Sequence, residues 1–248
     1  EGVYRADLKE IGLEGISFHQ LFYREKDDEF SRRMILARHP NFDPERPRTG
    51  GFLYTAAQGE KPSEQVVYRE GDIPWDGWSD ISQAEVVSVY NRGWQFAITP
   101  ILAVDRAART IAVRPVRGQF LKLNRFFIQN VLDALDAPGE WFLDRENSLL
   151  YFRPPKGRIL GQVVVPVIDH IIDARGTIPY PHGYLNIAYK GRREDYPMPG
   201  DAPPMNPVKH LEFRGLDLEC ARQDGIRLVG AEKCKVVACR VTNVGGIG

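Results

Sequence analysis

Leu211-Glu-Phe-Arg-Gly-Leu-Asp-Leu-Glu219 and Cys234-Lys-Val-Val-Ala-Cys-Arg-Val-Thr242 repeat one pattern at a shift of 23 residues. Phe213 falls on Val236, Gly215 on Ala238, Leu216 on Cys239 and Leu218 on Val241. Apolar meets apolar, and small meets small. Gly225-Ile226 and Gly246-Ile247 repeat at a shift of 21, which allows loops of slightly different length. A period of about 20–25 residues with short β-runs and turns is what a β-solenoid needs. Each coil buries its inward side chains by stacking on the next. The register also sets Glu212 on Lys235, Asp217 on Arg240 and Glu219 on Thr242. The first two pairings read as cross-coil salt bridges, each contributing about 0–1 kcal/mol if exposed.

Upstream, Gln162–Ile172 is a long apolar stretch suited to a strand or strand pair buried on both faces. Residues 190–207 are polar and proline-rich and read as a surface loop. The chain before residue 160 carries short candidate strands broken by turn residues: Val3–Leu8, Met34–Ala37, Gln65–Tyr68, Ala84–Tyr90, Gln95–Ile98, Ile101–Val104 and Thr110–Val113. Such spacing favours a sandwich or barrel-like domain. Trp75, Trp78 and Trp94 are its large aromatics, with sugar stacking as the sharper alternative. Residues 21–33 are dense in charge and read as a solvated stretch. Phe127, Val131 and Leu135 fall at i, i+4 and i+8, so one short helix is expected near 125–135. Glu140–Leu143 and Leu149–Phe152, joined by a turn at Arg145–Ser148, read as a hairpin. The expected fold is all-β. Residues 1–160 form a β-rich inserted or accessory domain, and 161–248 are the first coils of a right-handed parallel β-helix.

Composition excludes several classes. The 248 residues are 43% hydrophobic, with 33 basic and 33 acidic side chains, so formal net charge is zero. Bulk attraction to nucleic acid or an anionic membrane is not expected. The 23 glycines and 18 prolines call for frequent turns. No apolar run approaches the roughly 18 residues of a membrane span. The three cysteines, Cys220, Cys234 and Cys239, cannot all pair with one another. They read as buried thiols, and no metal or cofactor is expected. The chain begins at Glu1 without methionine and ends at Gly248, and both ends read as cut.

Several stretches resemble one known group. Val3-Tyr-Arg-Ala-Asp-Leu8 and Met34-Ile-Leu-Ala-Arg-His-Pro-Asn41 resemble its insert, although Glu29-Phe-Ser-Arg-Arg33 departs from its pattern. Leu135-Asp-Ala-Pro-Gly-Glu-Trp-Phe-Leu-Asp144 with Leu150-Tyr-Phe-Arg-Pro154 is the most specific match. Val208–Glu219 and Val241-Thr-Asn-Val-Gly-Gly246 resemble its first coils. The group is the right-handed parallel β-helix proteins related to glycoside hydrolases, within the pectin-lyase-like fold. It includes β-xylosidases and fucosidase- and xylanase-like enzymes. The resemblance implies that the chain returns to the helix at about residue 163. It also implies catalytic carboxylates on later coils, beyond residue 248, so no catalytic residue is carried over and the chain alone is expected to be inactive. It implies a polysaccharide or oligosaccharide substrate and an extracellular or periplasmic setting. A polysaccharide lyase and a non-enzymatic glycan-binding β-helix remain alternatives.

Hydrolysis of a glycosidic bond uses two carboxyl groups, about 5–5.5 Å apart for retention and about 6.5–9.5 Å for inversion. In the 23-residue register no carboxylate meets another. Glu219, Arg222 and Asp224 lie at a strand end and the following turn, and are the candidate substrate-binding residues. Glu140 precedes a tryptophan, but a carboxylate on a tight turn more often fixes backbone N–H groups.

Overall fold

The computed structural model describes residues 2–90, 93, 95–177 and 206–246. The chain divides into two compact units, Glu1–Val163 and Val164–Gly248. Both are built of strands and turns, so the protein is all-β. No helix among the described residues is long and apolar enough to cross a membrane.

The first unit is formed by β1 (Tyr4–Asp7), β2 (Leu21–Glu25), β3 (Arg32–Leu36), β4 (Arg38–His39), β5 (Leu53–Tyr54), β6 (Gln65–Val67) and β7 (Glu85–Tyr90). It continues with β8 (Gln95–Asp105), β9 (Thr110–Val113), β10 (Arg125–Gln129), β11 (Glu140–Asp144), β12 (Leu149–Phe152) and β13 (Gly161–Val164). One sheet runs β1-β12-β11-β3-β2-β13, and the other runs β4-β10-β7-β8-β9-β6 with β5 beside β10. The chain switches sheets at Ala37. Its N–H bonds Trp141 O on β11 at 2.6 Å, and its C=O accepts the Asn130 N–H just after β10 at 2.8 Å. Asn130 ties the same junction with its side chain. Its Oδ1 accepts the Leu143 N–H at 3.2 Å, and its Nδ2 donates to Gln83 O at 3.1 Å. Val66, Val86, Ile111, Phe120, Phe126 and Ile128 are fully buried in the main core. Trp75 belongs to that core, edge-on to Tyr68 and Trp78. Packing therefore accounts for Trp75 and Trp78 without sugar stacking; Trp94 lies outside the described residues.

Three local expectations are corrected. The helix expected near 125–135 is strand β10 followed by a 3-10 turn at Leu132–Ala134. Phe126 and Ile128 point inward with period two. Phe127 points outward, where it lies edge-on to Phe52 and under the Arg38 guanidinium, 3.4 Å from the ring centroid. An apolar residue on the outward face made the strand mimic helical spacing. The charged stretch 21–33 contains β2, whose Leu21, Phe22 and Tyr23 are almost completely buried. Three consecutive core residues carry no alternation, so the flanking charge dominated the reading. Gln95–Ile98 and Ile101–Val104 are one long strand, β8, with an irregularity between Ile101 and Ala103. The expected hairpin is β11–β12, pairing Trp141 with Phe152 and Asp144 with Leu149.

Gly139 opens that hairpin at φ +86°, a conformation that glycine adopts freely. Glu140 follows it, 2% exposed. Its Oε2 accepts the Asp136 N–H at 3.1 Å and the Ala137 N–H at 2.9 Å. Burial nevertheless pushes the Glu140 carboxyl up to about 7, against those hydrogen bonds and with help from the nearby Asp136 charge. The folded state thus holds this proton more tightly than the unfolded chain. The contribution to stability is complete below the ordinary value near 4.5 and is lost as pH rises through about 7. We expect the denaturant midpoint to fall between pH 5 and 8, by up to about 3 kcal/mol in unfolding free energy. Glu140→Gln should flatten that slope; equal slopes in the two proteins would refute the assignment.

The second unit is built from β14 (His170–Arg175), β15 (Val208–Lys209), β16 (Glu212–Arg214), β17 (Asp217–Glu219), β18 (Asp224–Val229), β19 (Ala231–Glu232), β20 (Lys235–Val237) and β21 (Arg240–Thr242). They form four parallel pairs: β14 with β18, β15 with β19, β16 with β20 and β17 with β21. The last three pairs share the 23-residue shift read from the sequence, with Phe213 opposite Val236 and Asp217 opposite Arg240. The corners repeat too. His210, Gly215 and Cys220 have positive φ, and so do Lys233, Ala238 and Asn243 at the same shift. The first pair has a shift of 54, because residues 178–205 intervene between bridged Thr177 and Asn206. Of the expected strand pair in Gln162–Ile172, β14 is half exposed rather than buried on both faces. The cysteines are free and half buried. The Cys234 thiol donates to Val208 O at 3.8 Å and the Cys239 thiol to Phe213 O at 3.3 Å, each 26 residues back.

Gly225 marks a close approach between turns of the chain. A Cβ there would lie 2.2 Å from Val241 Cγ1. Gly225→Ala should lower the melting temperature of the chain, and Val241→Ala should recover part of that loss in the double variant. Strict additivity of the two effects in thermal unfolding would show that the contact is not made.

Candidate functional site

The corner at Cys220 turns the chain from β17 into β18, and Ala221 is fully buried beneath it. Glu219 ends β17 in register with Thr242, one corner before Arg222. Arg222 and Asp224 come back against the start of β14. The Arg222 N–H donates to Ile168 O at 2.9 Å, and the Gln223 and Asp224 N–H groups both donate to Asp169 O at 3.0 Å. These backbone bonds set the side chains. Arg222 Nε lies 2.9 Å from Asp169 Oδ1. Asp224 Oδ2 lies 3.1 Å from His170 Nδ1, with the His170 side chain only 8% exposed. On the other side of the ring, Arg227 Nη1 is 2.8 Å from His170 Nε2. Arg227 has only donors, so Nε2 is the acceptor in that contact.

Further along the same pair, Asp173 stands opposite Arg227 in register. The Arg175 hydrogen bond, ahead of burial, holds the Asp173 carboxyl below its usual range, helped by the Arg175 and Arg227 charges. Along β14 and the corner into β18, Asp169, His170, Asp173, Arg222, Asp224 and Arg227 thus form a row of acids and bases. Such a row can hydrogen-bond sugar hydroxyls and orient a carboxylate. Arg227 holds the His170 ring at Nε2, while the buried Nδ1 stands 3.1 Å from Asp224 Oδ2 without closing a hydrogen bond. The backbone of Gly246 closes over this row. A Cβ there would stand 2.7 Å from Asp224 Oδ1, and the Gly246 N–H donates to Gln223 O at 2.7 Å.

Arg222 and Asp224 are thus brought into one network. Asp169, His170 and Arg227 were not legible as part of it. The 54-residue shift between β14 and β18 hides their alignment, and His170 stands in no local motif. The polar cluster of the first unit has a structural role. Glu85, 8% exposed, accepts from Gln129 at 2.9 Å and from Arg145 at 3.0 Å, beside His19 at 3.2 Å. Burial raises its carboxyl, but the His19 and Gln129 hydrogen bonds and the Arg145 charge hold it below its ordinary value.

The two ion contacts should differ in weight. His170→Ala leaves a buried gap and unpairs Arg227, which should cost about 1–3 kcal/mol of stability. Asp169→Ala breaks a half-exposed pair and should cost about 0–1 kcal/mol. Urea titrations of both variants check this order, and a larger loss for Asp169→Ala would reverse it.

No protein-family model matches this chain, and no curated protein matches it. Among solved structures, one named "Glycoside hydrolase" is similar, with a TM-score of 0.57 and 18% sequence identity. The match covers 89% of this chain and 34% of that one, so the chain spans about a third of its neighbour's length. At that identity the likeness concerns the fold: an all-β chain with a glycoside hydrolase as a structural neighbour.

Proposed function

We propose that this chain belongs to a secreted or periplasmic glycoside hydrolase, in which the second unit begins a right-handed parallel β-helix and the first unit is its β-rich insert. The observation that carries this reading is the set of parallel pairs repeating at 23 residues, with left-handed corners at matching positions. The glycoside hydrolase neighbour supports it. The mechanism we propose uses two carboxyl groups on coils beyond residue 248. The described rungs offer Glu212 against Lys235 and Asp217 against Arg240, neither of them an acid pair. Arg222 and Asp224, with Asp169 behind Arg222, bind the substrate: the guanidinium donates to ring and hydroxyl oxygens, and the carboxylate accepts from hydroxyls. Glu219 flanks them from the preceding strand.

A polysaccharide lyase on the same architecture is the second reading. It is favoured by Arg222, His170 and Arg227 clustered around the β14–β18 pair, a basic set that suits a uronate. Turnover distinguishes the two. A longer protein containing these residues should release reducing ends from a panel of aryl glycosides and polysaccharides, without the ultraviolet absorbance of an unsaturated uronate. Asp224→Asn should raise KM about tenfold, at nearly unchanged kcat. Absorbance gain on a uronate polymer selects the lyase. Tight glycan binding with no turnover on any substrate leaves a binding protein and ends the enzyme reading.

A further inference from the structure

The first unit carries a groove of about 580 Å³ along β8, between that strand and the segment after β9. Phe96, Ile98, Pro100 and Val116 line it, and Arg114 and Arg117 stand among them. Phe96 is 73% exposed and Ile98 44%, so these are apolar side chains held in water on one face of β8. Thr99, between Ile98 and Pro100, is 4% exposed. No acidic residue is among the described residues that line the groove. Among the described residues no carboxylate pairs with Arg114 or Arg117, although Arg106 and Arg109 nearby in sequence pair with Asp76 and Glu70. The groove thus combines a wet apolar floor with two exposed guanidinium groups.

We propose that this groove binds carboxylate-bearing sugar residues, that is, the uronates of an acidic oligosaccharide. A hexuronate has an apolar C–H face that covers Phe96 and Ile98. Its planar carboxylate matches the fork of a guanidinium, which donates two parallel N–H bonds. A neutral sugar would leave both guanidinium groups without a counter-charge. The sugar part of the ligand rests on the carbohydrate reading given above; the charge rests on Arg114 and Arg117 alone.

The test is calorimetric titration of the 248-residue chain with an oligogalacturonide, with the same oligomer after reduction of its carboxyl groups to alcohols, and with a sulfated oligosaccharide. The uronate form should bind, weaken several-fold between 50 and 300 mM salt, and lose about tenfold in affinity in Arg114→Ala/Arg117→Ala. Phe96→Ala should weaken it by a similar factor. Arg114→Lys/Arg117→Lys keeps the charge but not the fork, and should restore only part of the affinity. All these side chains are exposed, and circular dichroism verifies that each variant folds. Equal binding of the reduced oligomer overturns the charge argument while leaving the carbohydrate reading intact. Tighter, arginine-dependent binding of the sulfated oligosaccharide overturns the choice of carboxylate. Binding that ignores all three variants, or no binding of any oligomer at millimolar concentration, overturns the site, whatever the turnover assay of the longer protein reports.

Discussion

Parallel pairing between successive turns of the chain is the constraint on which the second unit depends. Neighbouring strands stand about 4.8 Å apart, so each residue must lie almost directly over its partner. The corners must then coincide as well. They do so at His210 and Lys233, at Gly215 and Ala238, and at Cys220 and Asn243, all with positive φ. Five of these six residues are not glycine, and each costs about 1–2 kcal/mol in that conformation. The hydrogen bonds of the rungs and the stacking of Phe213 on Val236 and Leu218 on Val241 offset that cost. Gly225 and Gly246 mark two close approaches of the chain to itself, against Val241 and over Asp224.

The first unit solves a different problem, the joining of two sheets by one continuous chain. Ala37 bonds to both sheets, and the flanking groups are ionisable and buried. Arg38 is 6% exposed, and burial lowers its guanidinium to about 10 despite the Glu140 charge. It donates to Pro40 O at 3.0 Å and to Gly51 O, while its plane covers Phe127. Glu140 fixes the turn before β11 from the other side. These side chains hold backbone groups that neither sheet could pair, which is why charged residues occupy a place that apolar ones would otherwise fill.

How much of this was legible depended on whether partners were close in sequence. The shift of 23 is uninterrupted from Val208 to Thr242, and the sequence alone predicted the register Glu212–Lys235, Asp217–Arg240 and Glu219–Thr242. Of the two expected salt bridges, Asp217–Arg240 closes, while Glu212 turns to Arg214 at 2.6 Å. The β11–β12 hairpin was legible for the same reason. Arg222 and Asp224 could be singled out from their turn, but their partners Asp169 and His170 lie more than fifty residues away across 178–205. No local pattern encodes such a distance. Phe127 misled because an outward aromatic stacked under Arg38 looks, in sequence, like a core residue. Leu21–Tyr23 misled in the opposite way: a buried edge of core sits inside a run of charge.

On the proposed hydrolase reading, the rungs also bear on where two carboxyl groups can be housed. Wherever both partners of a described rung of the second unit are ionisable, an acid faces a base: His170 and Asp224, Asp173 and Arg227, Lys209 and Glu232, Glu212 and Lys235, Asp217 and Arg240. Lys209 and Glu232 close to 2.8 Å, and so do Asp217 and Arg240. Each exposed pair adds little stability, but a slip of one residue would turn every side chain to the opposite face. Charge complementarity thus helps to hold the register that the corners require. Two carboxyl groups stacked for glycoside hydrolysis break that rule, because like charges on adjacent strands oppose pairing and raise one of the two pKa values. A coil that carries such a pair must be held in register by other means, such as apolar stacking inside and hydrogen bonds to the acids outside. The rungs from His170 to Thr242 are built for register, and a catalytic rung would have to be built against it.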